Sequence, residues 1–312
     1  MPPASKAAAR VVAIASELQY EPNVFAASLR TQRSLVIGIL VPRLTDLAIS
    51  TMYVGVEATA SSLGYQTVVA NTLDSPSEQR RRAEMLLSRQ VDGLIFADAL
   101  IENPYLDELA ARDVPFVLMN RHHAPFDAVT SDDYSGGLLV GRHLAKYGHS
   151  KVGIVSGSPS ASTGIDRASG CVEGLREHHI DVQARWIIGS EFTPRGGRDT
   201  TMRIMQDEAD RPTAIFAVTD TLALGAMGAL RDLGLRVAKD VAVVGFNDTT
   251  FAQELLVPLS SVRGQLMEVG NRVVHKLIER LDEAAPHKAV EERLACELIV
   301  RESSGFPRSG AP

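Results

Sequence analysis

From residue 35 onward, short apolar runs alternate with segments whose apolar residues recur every three to four positions. An unbroken apolar run is typical of a strand covered on both faces, and the longer spacing is typical of an amphipathic helix. The runs predict strands at 35–41, 65–70, 91–96, 115–119, 128–130, 151–156, 185–188, 213–218, 241–246 and 296–300. The other segments predict helices at 50–63, 76–89, 105–112, 134–147, 165–178, 196–208, 221–233 and 267–283.

Strands that alternate with helices of this length indicate βαβ units and a parallel sheet. The strands are too many for one simple sheet. We therefore predict an α/β fold of two doubly wound parallel-sheet lobes that divide near residues 148–151. Two such lobes face each other with their strand ends around one cleft, where folds of this kind bind ligands.

Polar residues follow most of the predicted strands. We predict cleft positions at Thr45, Asp46, Asn71, Asp98, Asp133, Asp220 and Asn247, together with Arg167 and Phe192. Carboxylate, amide and guanidinium groups each bind two adjacent hydroxyls, which is the chemistry of sugar recognition. The alternative for each Asp or Asn is that it caps the next helix. The alternative for Arg167 is a surface ion pair, and the alternative for Phe192 is ordinary packing.

Residues 1–34 differ from the rest of the chain in pattern and charge. They predict a helix over residues 5–18, a break at Glu21-Pro22 and a short second helix that starts near Asn23. They carry four Lys or Arg against two Glu, whereas the whole chain has a net charge of −6. A basic segment on an acidic body fits a small nucleic-acid contact. A solvated terminus fits the charge equally well.

Composition and motifs give little support to an enzyme. The chain is 45% hydrophobic and 22% charged, with no apolar run of membrane-spanning length. It has no phosphate-binding glycine motif, nucleophile elbow or metal-ligand spacing, so we expect no cofactor and no metal. The two cysteines, Cys171 and Cys296, and the lack of an export signal favour the cytoplasm. We expect Cys171 and Trp186 to be core residues.

Motifs spread over the chain carry a family resemblance. They lie at residues 17–31, 37–42, 212–220, 223–226, 234–237, 240–248, 258–262 and 298–304. Together they resemble the lactose/galactose repressor (LacI/GalR) family, and the resemblance covers essentially the whole chain. It implies a small DNA-binding headpiece, a hinge helix and a two-lobed core that binds a small effector and dimerises. The implied fold of the core is similar to that of periplasmic binding proteins.

The resemblance also implies roles for single residues. Leu29 resembles the hinge leucine that wedges into the minor groove of operator DNA, and Asn23, Ala26 and Arg30 would contact the DNA beside it. Four of the cleft residues match effector-binding positions of the family: Arg167, Phe192, Asp220 and Asn247.

The sequence departs from the family pattern in three places. Asn247 stands where family members often have Asp, and residues 46–49 replace the usual loop after the first strand. The chain also starts at what resembles the third headpiece helix, so we expect it to bind specific DNA weakly or not at all. The implied division is a partial headpiece and hinge at 1–34, a first lobe at 35–149 plus 263–291 and a second lobe at 150–262 plus 292–312.

We therefore expect a regulator, a repressor, that responds to a sugar or small metabolite and binds a palindromic operator as a homodimer, with no membrane partner. One alternative is the sugar-binding protein of a transport system, which shares the fold. Another is a truncated regulator that binds effector but not DNA. We expect the substitution Arg167→Ala to abolish effector binding and to leave the fold intact.

Overall fold

The computed structural model describes residues 33–282 and 288–305, with single positions at 10, 14 and 17. The helices predicted before residue 33 lie almost entirely outside this range. The strands are β1 (Val36–Val41), β2 (Gln66–Asn71), β3 (Gly93–Phe96), β4 (Phe116–Met119), β5 (Ala128–Ser131), β6 (Val152–Gly157), β7 (Ile187–Gly189), β8 (Ala214–Ala217), β9 (Ala242–Phe246), β10 (Ser260–Arg263), β11 (Glu291–Leu294) and β12 (Glu297–Ile299). The helices are α1 (Leu47–Ser62), α2 (Pro76–Ser88), α3 (Pro104–Ala111), α4 (Asp133–Lys146), α5 (Ser162–Arg176), α6 (Pro194–Ile204), α7 (Asp220–Asp232) and α8 (Leu266–Asp282).

Two six-stranded sheets form the two lobes. The first has the order β11-β5-β4-β3-β1-β2, and the second has the order β12-β10-β9-β8-β6-β7. Every pairing is parallel except that of β10 with β12. The predicted α/β class of two doubly wound lobes is confirmed.

Alternation along each strand divides the core of the first lobe between two faces. Ile37 and Ile39 of β1 join the cluster beneath α1 and α8, whereas Leu40 joins the cluster beneath α2 and α3. This is the pattern of a sheet covered on both sides, because successive side chains point to opposite faces. The second lobe has one large core that includes Cys171 and Trp186, as predicted.

Capping residues at the strand ends start the helices. Asp46 accepts hydrogen bonds from the backbone N–H groups of Ala48 and Ile49, which fixes the first turn of α1. Helix α2 begins at Pro76 behind a Ser75 cap, and Thr193 and Thr219 cap α6 and α7 in the same way. Strands and helices therefore meet at one edge of each sheet, with the helix N-termini at the carboxyl ends of the strands.

Three connections cross between the lobes, after β5, after β10 and after β11. They run side by side. The Asp132 N–H donates to the Leu294 carbonyl at 2.8 Å, and the Gln265 side chain donates to the Ala295 carbonyl at 3.2 Å. A Cβ atom on Gly264 would lie 2.6 Å from the Ser131 hydroxyl. The three crossings therefore lie together in one narrow region between the lobes.

The crossings correct the predicted lobe boundaries. Val140 and Leu144 of α4 are buried in the core of the second lobe, so the chain leaves the first lobe before α4, whereas the predicted division followed it near residue 149. Strand β11 extends to Leu294 and pairs with β5 of the first sheet, past the predicted limit of residue 291. The pattern of apolar positions identified both segments without showing which sheet each one joins.

Strands β10 and β11 were not predicted. β10 contains Ser260 and Ser261, which are fully buried because their hydroxyls donate to the Arg301 carbonyl and to Asp220. β11 reads Glu-Glu-Arg-Leu and lies at the edge of its sheet, where charged residues discourage pairing with other chains. Both strands lack the apolar runs by which the others were recognised.

Candidate ligand site between the lobes

A cavity of about 40 Å³ lies where the carboxyl ends of the strands of the two lobes face each other. The first lobe supplies its loops after β1, β2 and β4, and the second lobe supplies the ends of β9 and the starts of α5, α6 and α7. Its lining residues include Arg43, Asp46, Asp74, Asn120, Arg121, Thr163, Arg167, Phe192, Thr219 and Asn247. Because both lobes line this site, the binding of a ligand there depends on the relative orientation of the lobes.

Arg167 forms the floor of the cavity. It is only 2% exposed, and its Nε donates to Asp133 at 2.8 Å while Nη1 donates to the Val218 carbonyl at 2.8 Å. Its guanidinium lies over the Phe246 ring, 3.8 Å from the ring centre. These contacts fix the plane of the group. Among the described residues, Nη2 has no hydrogen-bond acceptor, and it remains available to a ligand oxygen.

Arg121 and Phe192 face each other across the cavity. Arg121 is 2% exposed, and Nη1 donates to Asp74 at 2.7 Å. Its guanidinium carbon lies 5.6 Å from the centre of the Phe192 ring, which belongs to the other lobe. The ring packs on Gly157, where φ is 72° and a Cβ would come within 2.4 Å of it. Phe192 therefore needs glycine beneath it to stand at this wall.

Two asparagines complete the polar lining. Asn120 and Asn247 have φ values of 67° and 103°, a region in which Asn is more frequent than other side chains except Gly. Asn247 is 6% exposed, and its Oδ1 atom is buried without a partner among the described residues. An unsatisfied buried oxygen is costly and calls for a donor, which a ligand hydroxyl would supply.

Asp46 lines the cavity and also caps α1. Burial raises the pKa of its carboxyl, and this effect exceeds the opposing influence of the two capping N–H groups and of the guanidiniums of Arg167 and Arg121. Both the predicted cleft role and the alternative, a helix cap, thus describe this residue.

Comparisons of the sequence and of the fold with known proteins agree with one another. The model of the periplasmic binding protein-like domain family matches residues 142–304. The HTH-type transcriptional repressor PurR of Haemophilus influenzae (strain PittEE) is 28% identical over 298 residues, covering 94% of this chain and 88% of that protein. The HTH-type transcriptional regulator DegA of Bacillus subtilis (strain 168) is also 28% identical, covering 95% and 88%. The Lac repressor dimer bound to operator and the anti-inducer ONPF has a TM-score of 0.84 at 26% identity, covering 96% of this chain and 91% of that one.

The chain belongs to the LacI family of transcriptional regulators, within the periplasmic binding protein-like class. The resemblance noted in the sequence is thereby confirmed.

Of the nine cleft positions predicted for this LacI-family chain, Asp46, Arg167, Phe192 and Asn247 line the cavity. Thr45 and Asn71 are exposed and do not line it. Asp98, Asp133 and Asp220 turn inward instead and accept hydrogen bonds from the protein. Asp98 accepts from Thr72 at 2.5 Å. Asp133 holds Arg167.

Asp220 shows how such a carboxylate is used within the protein. It accepts hydrogen bonds from the N–H and hydroxyl of Thr249 and from the hydroxyl of Ser261, and it is fully buried. Burial raises the pKa of Asp220 and of Asp133 to about 6. Through hydrogen bonds, these two residues link elements of the second lobe. They lie deeper in the protein than the lining residues.

Six polar lining residues of this regulator are not among the nine predicted cleft positions: Arg43, Asp74, Asn120, Arg121, Thr163 and Thr219. Asn120 and Arg121 directly follow β4, the same signal by which Asp98 was chosen. A place after a strand identifies the correct edge of the sheet. It does not show whether the side chain turns into the cleft or into the protein.

The proposed DNA contacts Asn23, Ala26, Leu29 and Arg30 lie outside the described residues. Within residues 33–282 and 288–305, no three His, Cys, Asp or Glu side chains converge as a metal site would require. No helix in the same ranges has the length and apolar character needed to cross a bilayer.

The removal of Arg167 is expected to reduce stability, which corrects the expectation that Arg167→Ala leaves the fold intact. The side chain is buried and pairs with a buried carboxylate, so its loss strands Asp133 and the Val218 carbonyl.

An ion pair near the cavity also joins the lobes of this LacI-family chain. His122, after β4, contacts Asp166 of α5, with 2.7 Å between Nε2 and Oδ2. The backbone N–H of His122 donates to the Ser162 hydroxyl at 3.0 Å. Asp166 raises the pKa of His122, against the opposing effect of burial, and Glu291 adds to the increase while Arg293 counters it. The protonated imidazole therefore favours the arrangement of lobes seen in the structure.

The stabilisation by His122 is expected to depend on pH. A raised pKa in the folded state means that the contribution is complete below the unfolded value of about 6.5 and disappears as pH rises through the folded value. Urea unfolding of wild type and His122→Gln across this range is expected to show a difference of up to about 1 kcal/mol at low pH that vanishes at high pH. The exposed His178→Gln serves as control, and a pH-independent difference for His122→Gln would contradict the ion pair.

Proposed function

We propose that this regulator is a repressor whose effector, a sugar or sugar derivative, binds in the cavity between the lobes. Polar planar groups from both lobes support the proposal, together with an aromatic ring: the fixed guanidinium of Arg167, the unsatisfied Oδ1 of Asn247 and the ring of Phe192. Such groups bind adjacent hydroxyls and the apolar face of a sugar ring. A complex of the transcriptional regulator CelR with cellobiose has a related structure, with 26% identity and a TM-score of 0.80.

We further propose that the regulator acts as a homodimer on a palindromic operator. Twofold symmetry in the protein requires it in the DNA. The operator-bound Lac repressor dimer supports this by similarity. Leu29 would wedge into the minor groove, with Asn23, Ala26 and Arg30 beside it. An effector would change DNA affinity only by its different affinity for the two lobe arrangements.

The start of the described chain supports coupling between cavity and DNA. The N–H and hydroxyl of Ser34 donate to Asp92 at 2.6 Å and 2.7 Å, and the N–H of Leu35 donates to the same carboxylate at 2.9 Å. Arg33 donates to Asp282 at the end of α8, at 2.6 Å. The chain is therefore held firmly to the first lobe where the hinge segment joins it, and a rotation of that lobe would carry the segment with it.

A thermal-shift screen tests the effector proposal. We expect at least one neutral sugar, sugar acid or sugar phosphate to raise the melting temperature saturably, because a ligand that binds only the folded state stabilises it. The same ligand is expected to bind Asn247→Ala about tenfold more weakly or worse, because a hydrogen bond to the cavity is lost.

The control for this screen is Asn71→Ala. Asn71 also follows a strand of the first lobe, but it is exposed and outside the lining. It is expected to bind like wild type. The proposal fails if no member of the panel raises the melting temperature, or if the two asparagine variants respond alike.

The sugar-binding protein of a transport system is the second candidate for this fold. The similarity to transcriptional regulators over more than nine tenths of the chain favours the repressor. An effector-dependent change in the affinity for DNA distinguishes the two candidates, because only a regulator shows it.

A further inference from the structure

The first-lobe wall of the cavity carries two guanidiniums with unsatisfied atoms. Arg43 and Arg121 both line the cavity, and the Nε atom of each is buried without a hydrogen-bond partner among the described residues. The side chain of Arg121 is 3% exposed, so solvent does not compensate for the missing bond. A buried donor without an acceptor is costly, and most such donors in proteins have a partner.

The acidic groups described near these arginines leave Arg43 without an ion-pair partner. Asp74 is bound by Arg121, and the Asp133 carboxylate is bound by Arg167. Asp46 directs one carboxylate oxygen to the N–H groups of Ala48 and Ile49 in α1. Within the described ranges, no carboxylate lies within ion-pairing distance of Arg43. The wall therefore carries one guanidinium, that of Arg43, that no described carboxylate pairs with.

The start of α5 adds to this field. Its cap position is Ala161, which has no side chain to accept from the first turn, and Thr163 of that turn lines the cavity. The N-terminal end of a 15-residue helix carries partial positive charge and unsatisfied N–H groups, both of which favour an anion. The helix end therefore adds positive potential opposite Arg43 and Arg121.

We propose that Arg43 and Arg121 form a subsite for an oxyanion group of the ligand, either a carboxylate or a phosphate. The inference rests on the proposed effector cavity and specifies the ligand class. Guanidinium groups match both oxyanions through paired N–H donors, and hydrogen bonds to charged groups are stronger than neutral ones. Arg167, on the opposite lobe, would hold the hydroxyl-bearing part of the same molecule.

The first test uses small anions. Inorganic phosphate and acetate, each titrated at constant ionic strength against chloride, are expected to raise the melting temperature of wild type saturably. This rise is expected to be lost in Arg43→Gln, which removes a charge without breaking any ion pair of the described structure. Arg89→Gln is the matched control, because Arg89 is exposed at the end of α2, away from the cleft. Equal responses of the three proteins to both anions overturn the subsite.

The second test uses matched sugars. For each of several aldoses, calorimetry compares the neutral sugar, its uronic acid and its 6-phosphate. One acidic member is expected to bind about tenfold more tightly than its neutral counterpart, and the acid or phosphate arm that wins identifies the oxyanion. Arg43→Gln is expected to remove that advantage, because the acidic member loses more affinity than the neutral sugar.

The outcomes separate the two proposals. Tight binding of a neutral sugar, with no gain from an acidic group and no effect of Arg43→Gln, overturns the subsite and leaves the effector cavity standing. Saturable anion binding that depends on Arg43, without binding of any sugar form, supports the subsite and contradicts a sugar effector.

Discussion

The variant Arg167→Ala is expected to lose both ligand binding and a large part of its stability. Truncating one partner of a buried ion pair strands the other, here Asp133, at a cost of about 3–5 kcal/mol in the free energy of unfolding. Ligand affinity is expected to fall about a hundredfold or more. Urea unfolding at neutral pH measures the first effect, and calorimetry with a ligand identified by the screen measures the second.

Two further variants separate the causes. The double variant Arg167→Ala with Asp133→Ala is expected to be more stable than the single variant, because it no longer buries an unpaired carboxylate. Arg176→Ala removes an arginine from the same helix, where it is 61% exposed and pairs with Glu173, and is expected to change stability by less than about 1 kcal/mol. A single variant as stable as Arg176→Ala would contradict the buried pair.

The stability loss of Arg167→Ala is also expected to depend on pH. Burial already raises the pKa of Asp133 to about 6 with Arg167 in place, and the loss of the guanidinium raises it further. A carboxyl whose folded pKa is raised favours the folded state at low pH and opposes it as pH rises through the folded value. The variant is therefore expected to recover stability on acidification relative to wild type. A difference that stays constant with pH would mean that Asp133 is not the stranded group.

Gly170→Val is expected to destabilise the second lobe severely, because it forces two packed helices apart. Helices α4 and α5 approach so closely at Gly170 that a Cβ would lie 2.1 Å from the Tyr134 carbonyl oxygen, and a Cβ on Gly137 would lie equally close to the Arg167 carbonyl. Both obstacles are backbone atoms and cannot rotate away. The helices must separate, with a loss of at least about 3 kcal/mol and of the placement of Arg167.

Gly228→Ala is the matched control for this prediction. Gly228 lies within α7, and a Cβ there would meet nothing within 4 Å. This substitution is expected to stabilise the protein by about 0.5–1 kcal/mol, because alanine favours the helix. Thermal unfolding of both variants, followed by circular dichroism, measures the contrast. A Gly170→Val protein that unfolds near the wild-type temperature would show that the helix pair yields easily.

The fold was predictable from the sequence to the extent that burial leaves a periodic pattern. Strands covered on both faces, such as β1, are unbroken apolar runs. In the capped helices between them, apolar residues recur at helical spacing. Strand β10 escaped prediction because Ser260 and Ser261 are buried through hydrogen bonds to partners about 40 residues away in the chain. Long-range partners of this kind leave no local pattern.

The site was predictable only in part, for a related reason. Topology places the loops and helix starts that follow parallel strands at the cleft edge, which located Asp46, Arg167 and Asn247. Asp133 and Asp220 occupy equivalent places, but their carboxylates are drawn inward by Arg167, Thr249 and Ser261. The direction of a side chain depends on donors contributed by other elements, so the sequence around each aspartate did not reveal it.

The three crossings between the lobes determine the order in which the lobes are completed during synthesis. Helix α8 covers one face of the first sheet, yet it emerges only after nearly all of the second lobe, and β11 follows later still. The nascent first lobe therefore exposes the apolar faces of β1 and α1 until α8 emerges. Strand β12, which ends the second sheet, begins only a few residues after β11 ends. The last strands of the two lobes are therefore synthesised in close succession. A premature stop near residue 262 would consequently leave two unfinished lobes, and neither would survive as an independent unit.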